Sequence, residues 1–226
     1  MRALETIAAA AEVHGLVVHG AFDLHDDERR GELAGAASVA LLGLADRRGW
    51  AAFTASPEAV DGAADPLDRW SRRVVDRLAA ELGARALYPF EGPPYWPFQR
   101  WARRAAPMYV SPLGLLIHEE DGLWRGYRGA LAFAERLAAP PIEAATSPCE
   151  TCRTRPCLSA CPVGAFTDAG YDVAACAAHL SDPAGRDCME RGCLARRACP
   201  VGAKHTQEPH EAAFHMQAFL AAHRPA

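Results

Sequence analysis

Apolar residues recur at helical spacing over residues 66–82, where Leu67, Trp70, Val74, Leu78 and Leu82 share one face. Pro66 opens the run and Gly83 ends it. Proline is tolerated in a first helical turn and glycine takes the left-handed stop, so this run predicts a helix. Residues 3–13 predict a second, shorter one. Residues 16–24 (LVVHGAFDL) and 39–44 (VALLGL) are apolar runs of strand length, the second apolar on both faces and so expected to be buried. Residues 86–88 predict a short strand. The proline–aromatic stretch 93–101 predicts a loop that leads into a short basic helix. Residues 113–118 and 123–133 flank Glu119-Glu120-Asp121-Gly122, and Asp-Gly between two apolar runs predicts a β-hairpin. The end of that second run, from residue 130, also fits a helix. Pro140-Pro141 and the segment to Pro148 predict a linker. The pattern divides the chain into an α+β domain over residues 1–140 and a loop-rich module over 141–226 that ends in a helical tail.

Composition adds a core and removes some partners. Half of the 226 residues are hydrophobic, enough for the first domain to build an ordinary core. The net charge of −4 gives no electrostatic case for binding nucleic acid. Arg72, Arg73 and Arg77 interleave with Asp68, Asp76 and Glu81, the mark of a solvated mixed-charge face. No run approaches the roughly 18 apolar residues of a membrane span, and the first residues lack a signal-peptide apolar stretch. The expectation is a cytoplasmic protein with no membrane partner.

The chemistry sits in the cysteines. All eight fall between Cys149 and Cys199, as Cys149-x2-Cys152-x4-Cys157-x3-Cys161-Pro162, then Cys176, then Cys188-x4-Cys193-x5-Cys199-Pro200. Eight is two sets of four, and a cubane iron–sulfur cluster takes four thiolates. Two zinc sites would use the same donors, and disulfides would need an oxidising compartment. The lone Cys176 and the two Cys-Pro endings favour two [4Fe–4S] clusters over either. Residues 160–165 (ACPVGA) recur as residues 198–203, which suggests two related halves. Arg186, Arg191, Arg196 and Arg197 crowd the second motif, as charge compensation or as a docking patch for an acidic partner. His205, His210 and His215 stand five apart and are expected to be solvated. His118, beside the turn, is expected at the surface, with an axial ligand or proton donor as the alternative. No Ser/His/Asp set, phosphate loop or paired carboxylate stands out.

The Cys-x2-Cys opening and Cys-Pro ending resemble the bacterial ferredoxin pattern, in which the fourth cysteine crosses to the other cluster. That resemblance implies Cys149, Cys152, Cys157 and Cys199 on one cluster and Cys161, Cys176, Cys188 and Cys193 on the other. The sequential assignment, 149/152/157/161 and 176/188/193/199, is the rival; the repeat favours crossing, since Cys161 and Cys199 then play equivalent roles. In order of elements, residues 111–133, the first motif over 149–166 and Cys176 within DVAACAAHL resemble the C-terminal half of epoxyqueuosine reductase and the reductive dehalogenases. The glycine-punctuated stretch also resembles a segment of the cobalamin-processing proteins. The resemblance covers residues 100–203. It implies a small nitroreductase-like sheet domain followed by a bacterial-ferredoxin-like two-cluster module. The clusters would pass electrons to a redox partner protein or to a bound small-molecule cofactor, with cobalamin as the candidate. It further implies a cofactor near Gly114, Trp124, Gly126, Tyr127 and Gly129, with Tyr95 and Trp96 as a pocket wall. The family's catalytic aspartate motif beside a Tyr-His pair is missing, so epoxyqueuosine reductase activity itself is not expected.

Overall fold

The computed structural model describes residues 2–142 and 145–223. The chain forms two compact units, residues 1–107 with 126–144 and residues 108–125 with 145–226. The secondary structure is mixed, with small sheets and many helices, as an α+β class requires. Two residues of the expected linker, 143 and 144, lie outside the described residues.

The first unit is built on a four-stranded sheet. Its order is Leu16–Asp23, Ser38–Leu44, Tyr127–Phe133 and Arg85–Leu87, with every neighbouring pair antiparallel. The two central strands are the most apolar. Val39, Ala40, Leu41 and Leu42 are fully buried, as are Ala130, Leu131 and Phe133. Strands without polar alternation must be covered on both faces, and each large side chain so buried contributes about 1.5–3 kcal/mol. The helix Pro66–Leu82 covers Tyr127–Phe133 with Leu67, Trp70, Val74, Val75 and Leu78, and Gly83 stops it at φ 64°. The helix Leu4–Val13 and the strands near residues 16–24, 39–44 and 86–88 form where the pattern puts them. The helix Phe98–Ala105 follows the proline–aromatic loop. The mixed-charge face of the long helix is tied down by residues outside it: Arg73 pairs with Glu58 at 2.5 Å and Arg72 with Glu91 at 2.5 Å.

The expected hairpin between residues 113–118 and 123–133 does not form. Its turn does: His118 N–H donates to the Gly122 carbonyl at 2.9 Å and Gly122 N–H to the His118 carbonyl at 3.0 Å. Beyond the turn the two runs diverge. Leu116–His118 pairs instead with Met108–Val110, while Tyr127–Phe133 pairs with Ser38–Leu44 and Arg85–Leu87. Those two strands take both edges of Tyr127–Phe133, so neither edge is left for residues 113–118.

The second unit consists of short helices and loops, with one longer helix, Pro209–His223, as the tail. The two copies of the six-residue repeat follow two four-residue helices, Pro156–Ser159 and Leu194–Arg197, which pack on each other. Gly164 and Gly202, equivalent in the repeat, both take left-handed backbone, φ 57° and 71°. Gly202 also meets the turn at Gly122 backbone to backbone. A Cβ on Gly202 would run into the Asp121 carbonyl, and one on Gly122 into the Val201 carbonyl. Glycine at both positions is what lets the second Cys-Pro loop sit on the turn. Among the described residues no helix is long and apolar enough to cross a membrane.

Candidate metal centres

All eight cysteines are free thiols. Cys149 lies in the first turn of Pro148–Thr151, where the Ser147 hydroxyl accepts its N–H at 3.3 Å. Cys157 lies in the first turn of Pro156–Ser159, where the Leu158 N–H favours its thiolate. Cys149, Cys152, Cys157 and Cys199 line one small open cavity together with Ile117, Pro156 and Val201. Leu113, Ile117, Leu123 and Ala195 form the buried apolar cluster there. Burial pushes the Cys149 thiol up, and the neighbouring Cys199, Cys157 and Cys152 sulfurs add to the shift. Cys157 is raised by burial first and then by Cys199 and Cys152.

The remaining four thiols interact among themselves. Cys176 sits on the helix Val173–Ser181, which Asp172 caps by accepting the Ala175 N–H at 2.9 Å. Burial raises its thiol; the Tyr171 hydroxyl opposes this with a hydrogen bond, and Cys161 and Cys188 add to the rise. Cys193 precedes Leu194–Arg197, whose first-turn N–H groups favour its thiolate. Burial again raises the thiol, with Cys188 and Cys176 as its charged neighbours. The Ala165 N–H donates to the Cys161 sulfur at 3.3 Å. The electrostatic neighbours thus fall as 149/152/157/199 and 161/176/188/193, with Cys161 and Cys199 exchanged relative to chain order.

The donor set suits an iron–sulfur cluster. Thiols crowded into half-buried sites stay protonated on their own; a cationic metal core favours the thiolates instead. N–H groups aimed at sulfur then stabilise the negative charge that remains. Among the described residues no three His, Cys, Asp or Glu side chains converge as they would around a single ion. A cubane spreads its four thiolates over four separate irons.

The arginines of the second motif are engaged within the unit. Arg186 pairs with Glu190 at 2.7 Å, and Asp187 takes both Arg191, at 3.6 Å, and Arg197. Arg196 donates to the Leu123 carbonyl at 2.8 and 3.1 Å and lies 4.1 Å over the Trp124 ring. Burial pushes its guanidinium down to about 10. His118 is buried, not at the surface, and its Nδ1 accepts the Glu120 and Asp121 N–H groups at 3.3 and 3.4 Å. Burial, with Arg125 beside it, lowers its pKa. His205 is also not solvated: its Nε2 lies 3.3 Å from Asp121, in a 3₁₀ turn ahead of the tail helix.

The residues proposed for a cofactor belong to both units. Gly114 turns the Met108–Val110/Leu116–His118 hairpin at φ 74°, and Trp124 lies under Arg196. In the first unit, a Cβ on Gly129 would lie 3.1 Å from Val75, so this glycine serves helix–sheet packing. Trp96 stacks on Trp101 at 5.5 Å and Tyr95 is exposed. Gly126 has open space where a Cβ would stand, and Tyr127 packs edge-on to His19 at 5.5 Å. Two residues beside the thiols escaped the sequence pattern, Ser147 and Tyr171. Both carried a signal: Ser147 precedes a proline at a helix start, and Tyr171 precedes the capping Asp172.

No protein-family model matches the chain, and no curated protein matches it. Among solved structures it is similar to epoxyqueuosine reductase from Streptococcus thermophilus, with a TM-score of 0.54 and 15% identity over 92% of this chain and 70% of that one. A selenomethionine-labelled epoxyqueuosine reductase gives 0.52 and 15% over 93% and 68%. The Bacillus subtilis enzyme gives 0.50 and 16% over 92% and 69%. Across both of its units, this chain shares the fold of epoxyqueuosine reductase.

Proposed function

We propose that this chain is an iron–sulfur electron-transfer protein that holds two [4Fe–4S] clusters. Cys149, Cys152, Cys157 and Cys199 hold one; Cys161, Cys176, Cys188 and Cys193 hold the other. The observation that carries this is the grouping of eight free thiols into two interacting sets of four, the first around a single cavity. Each cluster supplies one-electron chemistry. The chain's own role is to hold the thiolates, to aim N–H groups at sulfur, and to keep water off one side through Ile117 and Val201. Fixed N–H donors and exclusion of water are the means by which a protein sets cluster potentials.

The electrons leave for a redox partner protein or for a cofactor on the sheet unit. A corrinoid is the cofactor that the sequence resemblance implies, and Gly126, with open space above it, is the residue best suited to face it. Anaerobic reconstitution tests the first claim: a brown protein with about eight irons and eight sulfides per chain is expected. A colourless protein that takes up zinc overturns it. Titrating cobalamin into the reconstituted protein separates the acceptors. A perturbed corrinoid spectrum that Gly126→Val abolishes supports the bound cofactor; an unchanged spectrum leaves the partner protein.

A further inference from the structure

The first set of thiols opens to solvent through the small cavity that it lines, and the charged side chain in the wall of that cavity is Arg155. Arg153 stands two residues earlier, in the same four-residue loop between Cys152 and Cys157. Both arginines are exposed, and among the described residues neither is paired with a carboxylate. The other described arginines after residue 145 are committed elsewhere: Arg186 to Glu190, Arg191 and Arg197 to Asp187, and Arg196 to the Leu123 carbonyl. Arg155 also holds its place on left-handed backbone, φ 39°, at the start of Pro156–Ser159. Glycine would take that backbone without strain, and the chain carries an arginine there instead. The rest of the wall is apolar, with Pro112, Pro148 and Pro200 beside the thiols. Glu150 is the one carboxylate between residues 145 and 166, and the two arginines outnumber it.

A chain that passes electrons on must be refilled. A cluster with four thiolate ligands is anionic and repels an acidic protein unless cations stand at its mouth. Free guanidinium groups beside a small apolar opening suit a weak, quickly exchanged contact with carboxylates.

We propose that Arg153 and Arg155 form the docking site for an acidic one-electron donor protein, which delivers its electron to the cluster held by Cys149, Cys152, Cys157 and Cys199. The proposal rests on the two-cluster reading. The donor loses one electron and that cluster gains it, with no bond made or broken and no proton moved. The arginines act on the encounter: they draw the donor to the cavity mouth, and salt screens that attraction over about 8 Å at 0.15 M.

The test mixes the anaerobically reconstituted full chain with a reduced plant-type [2Fe–2S] ferredoxin, an acidic one-electron carrier, in stopped flow at several ionic strengths. The wild-type second-order rate should fall as salt rises. Arg153→Gln with Arg155→Gln should slow the low-salt rate about tenfold and flatten its salt dependence. Arg153→Lys with Arg155→Lys keeps the charge and should keep both the rate and its salt dependence. Arg186→Gln with Arg191→Gln, a change of the same charge at paired arginines, should react like the wild type. Iron content and the EPR signals of the dithionite-reduced clusters should be the same in all four proteins. Several results would overturn the proposal: a wild-type rate insensitive to salt, no reduction by ferredoxin of clusters that dithionite reduces, or equal slowing in the glutamine pair and either control. A displaced potential with unchanged salt dependence would also overturn it, because the arginines would then only compensate cluster charge. Loss of iron from the glutamine pair would do the same, since the arginines would then hold the site. So would an RNA stem-loop that binds the wild type and not the glutamine pair while the ferredoxin rate stays unchanged. A wild-type chain that takes up no iron sinks the parent reading before any variant is made.

Discussion

Gly164 and Gly202 are the same residue of the same repeat in the same left-handed backbone, but they have different neighbours. Around Gly164 nothing lies within 4 Å of where a Cβ would stand. Around Gly202 the carbonyl carbon and oxygen of Asp121 and the Gly122 nitrogen (2.5 Å) block it, and all are main-chain atoms. Gly164→Ala therefore introduces only left-handed strain, about 1 kcal/mol. Gly202→Ala introduces the same strain and must also push the two facing backbones apart, an overpacking cost of about 1–3 kcal/mol. The total is about 2–4 kcal/mol, against about 1 for its twin. That displacement has a local consequence as well. Gly202 lies three residues after Cys199, and Val201 lines the cavity of the first set. Iron should leave the 149/152/157/199 site and stay in the other. Urea unfolding followed by circular dichroism reads the stability difference, and iron counted per chain with EPR reads the selective loss. Equal costs for the two alanines, or full iron in Gly202→Ala, would refute the docking of the Cys199 loop on the turn at residues 118–122.

Two further outcomes concern the sheet unit. Gly129→Ala puts a Cβ 3.1 and 3.2 Å from the two Val75 methyl groups and should destabilise by about 1–2 kcal/mol; adding Val75→Ala should recover most of it in urea unfolding. A cofactor-facing Gly129 would show no such rescue. The Arg73 guanidinium holds the Glu58 carboxyl down to about 2. Its folded value lies below its unfolded one, so the pair stabilises above about pH 4.5 and the contribution fades as pH falls toward 2. Arg73 is half exposed, which limits the contribution to about 1 kcal/mol. Glu58→Gln should lower the urea midpoint at pH 7 and leave it unchanged at pH 2.

Local signals in the chain survived folding where one element could satisfy them alone. The Pro66 start and Gly83 stop bound the long helix because proline and glycine act on their own backbone. The Ser38–Leu44 strand was visible because an apolar run on both faces has few other homes. The hairpin failed for the opposite reason. Asp121-Gly122 does make its turn, but the partner of Tyr127–Phe133 is chosen by burial against residues 38–44 and 85–87, far away in sequence. The same holds for the site. Cysteine spacing exposes the donors, and the repeat hints at the exchange of Cys161 and Cys199. The pairing of His118 and His205 with Asp121 depends on a loop returning about eighty residues later, which no periodicity encodes. Tyr171 was readable in principle, since an aromatic before a capping aspartate is a local device.

The exchange of Cys161 and Cys199 is tested most directly by single alanine variants at four positions, reconstituted and compared by EPR of the reduced clusters. Crossed ligation predicts that Cys161→Ala and Cys188→Ala disturb one and the same signal, while Cys199→Ala and Cys149→Ala disturb the other. If Cys161→Ala instead pairs with Cys149→Ala, and Cys199→Ala with Cys188→Ala, the clusters are ligated in chain order and the account is contradicted.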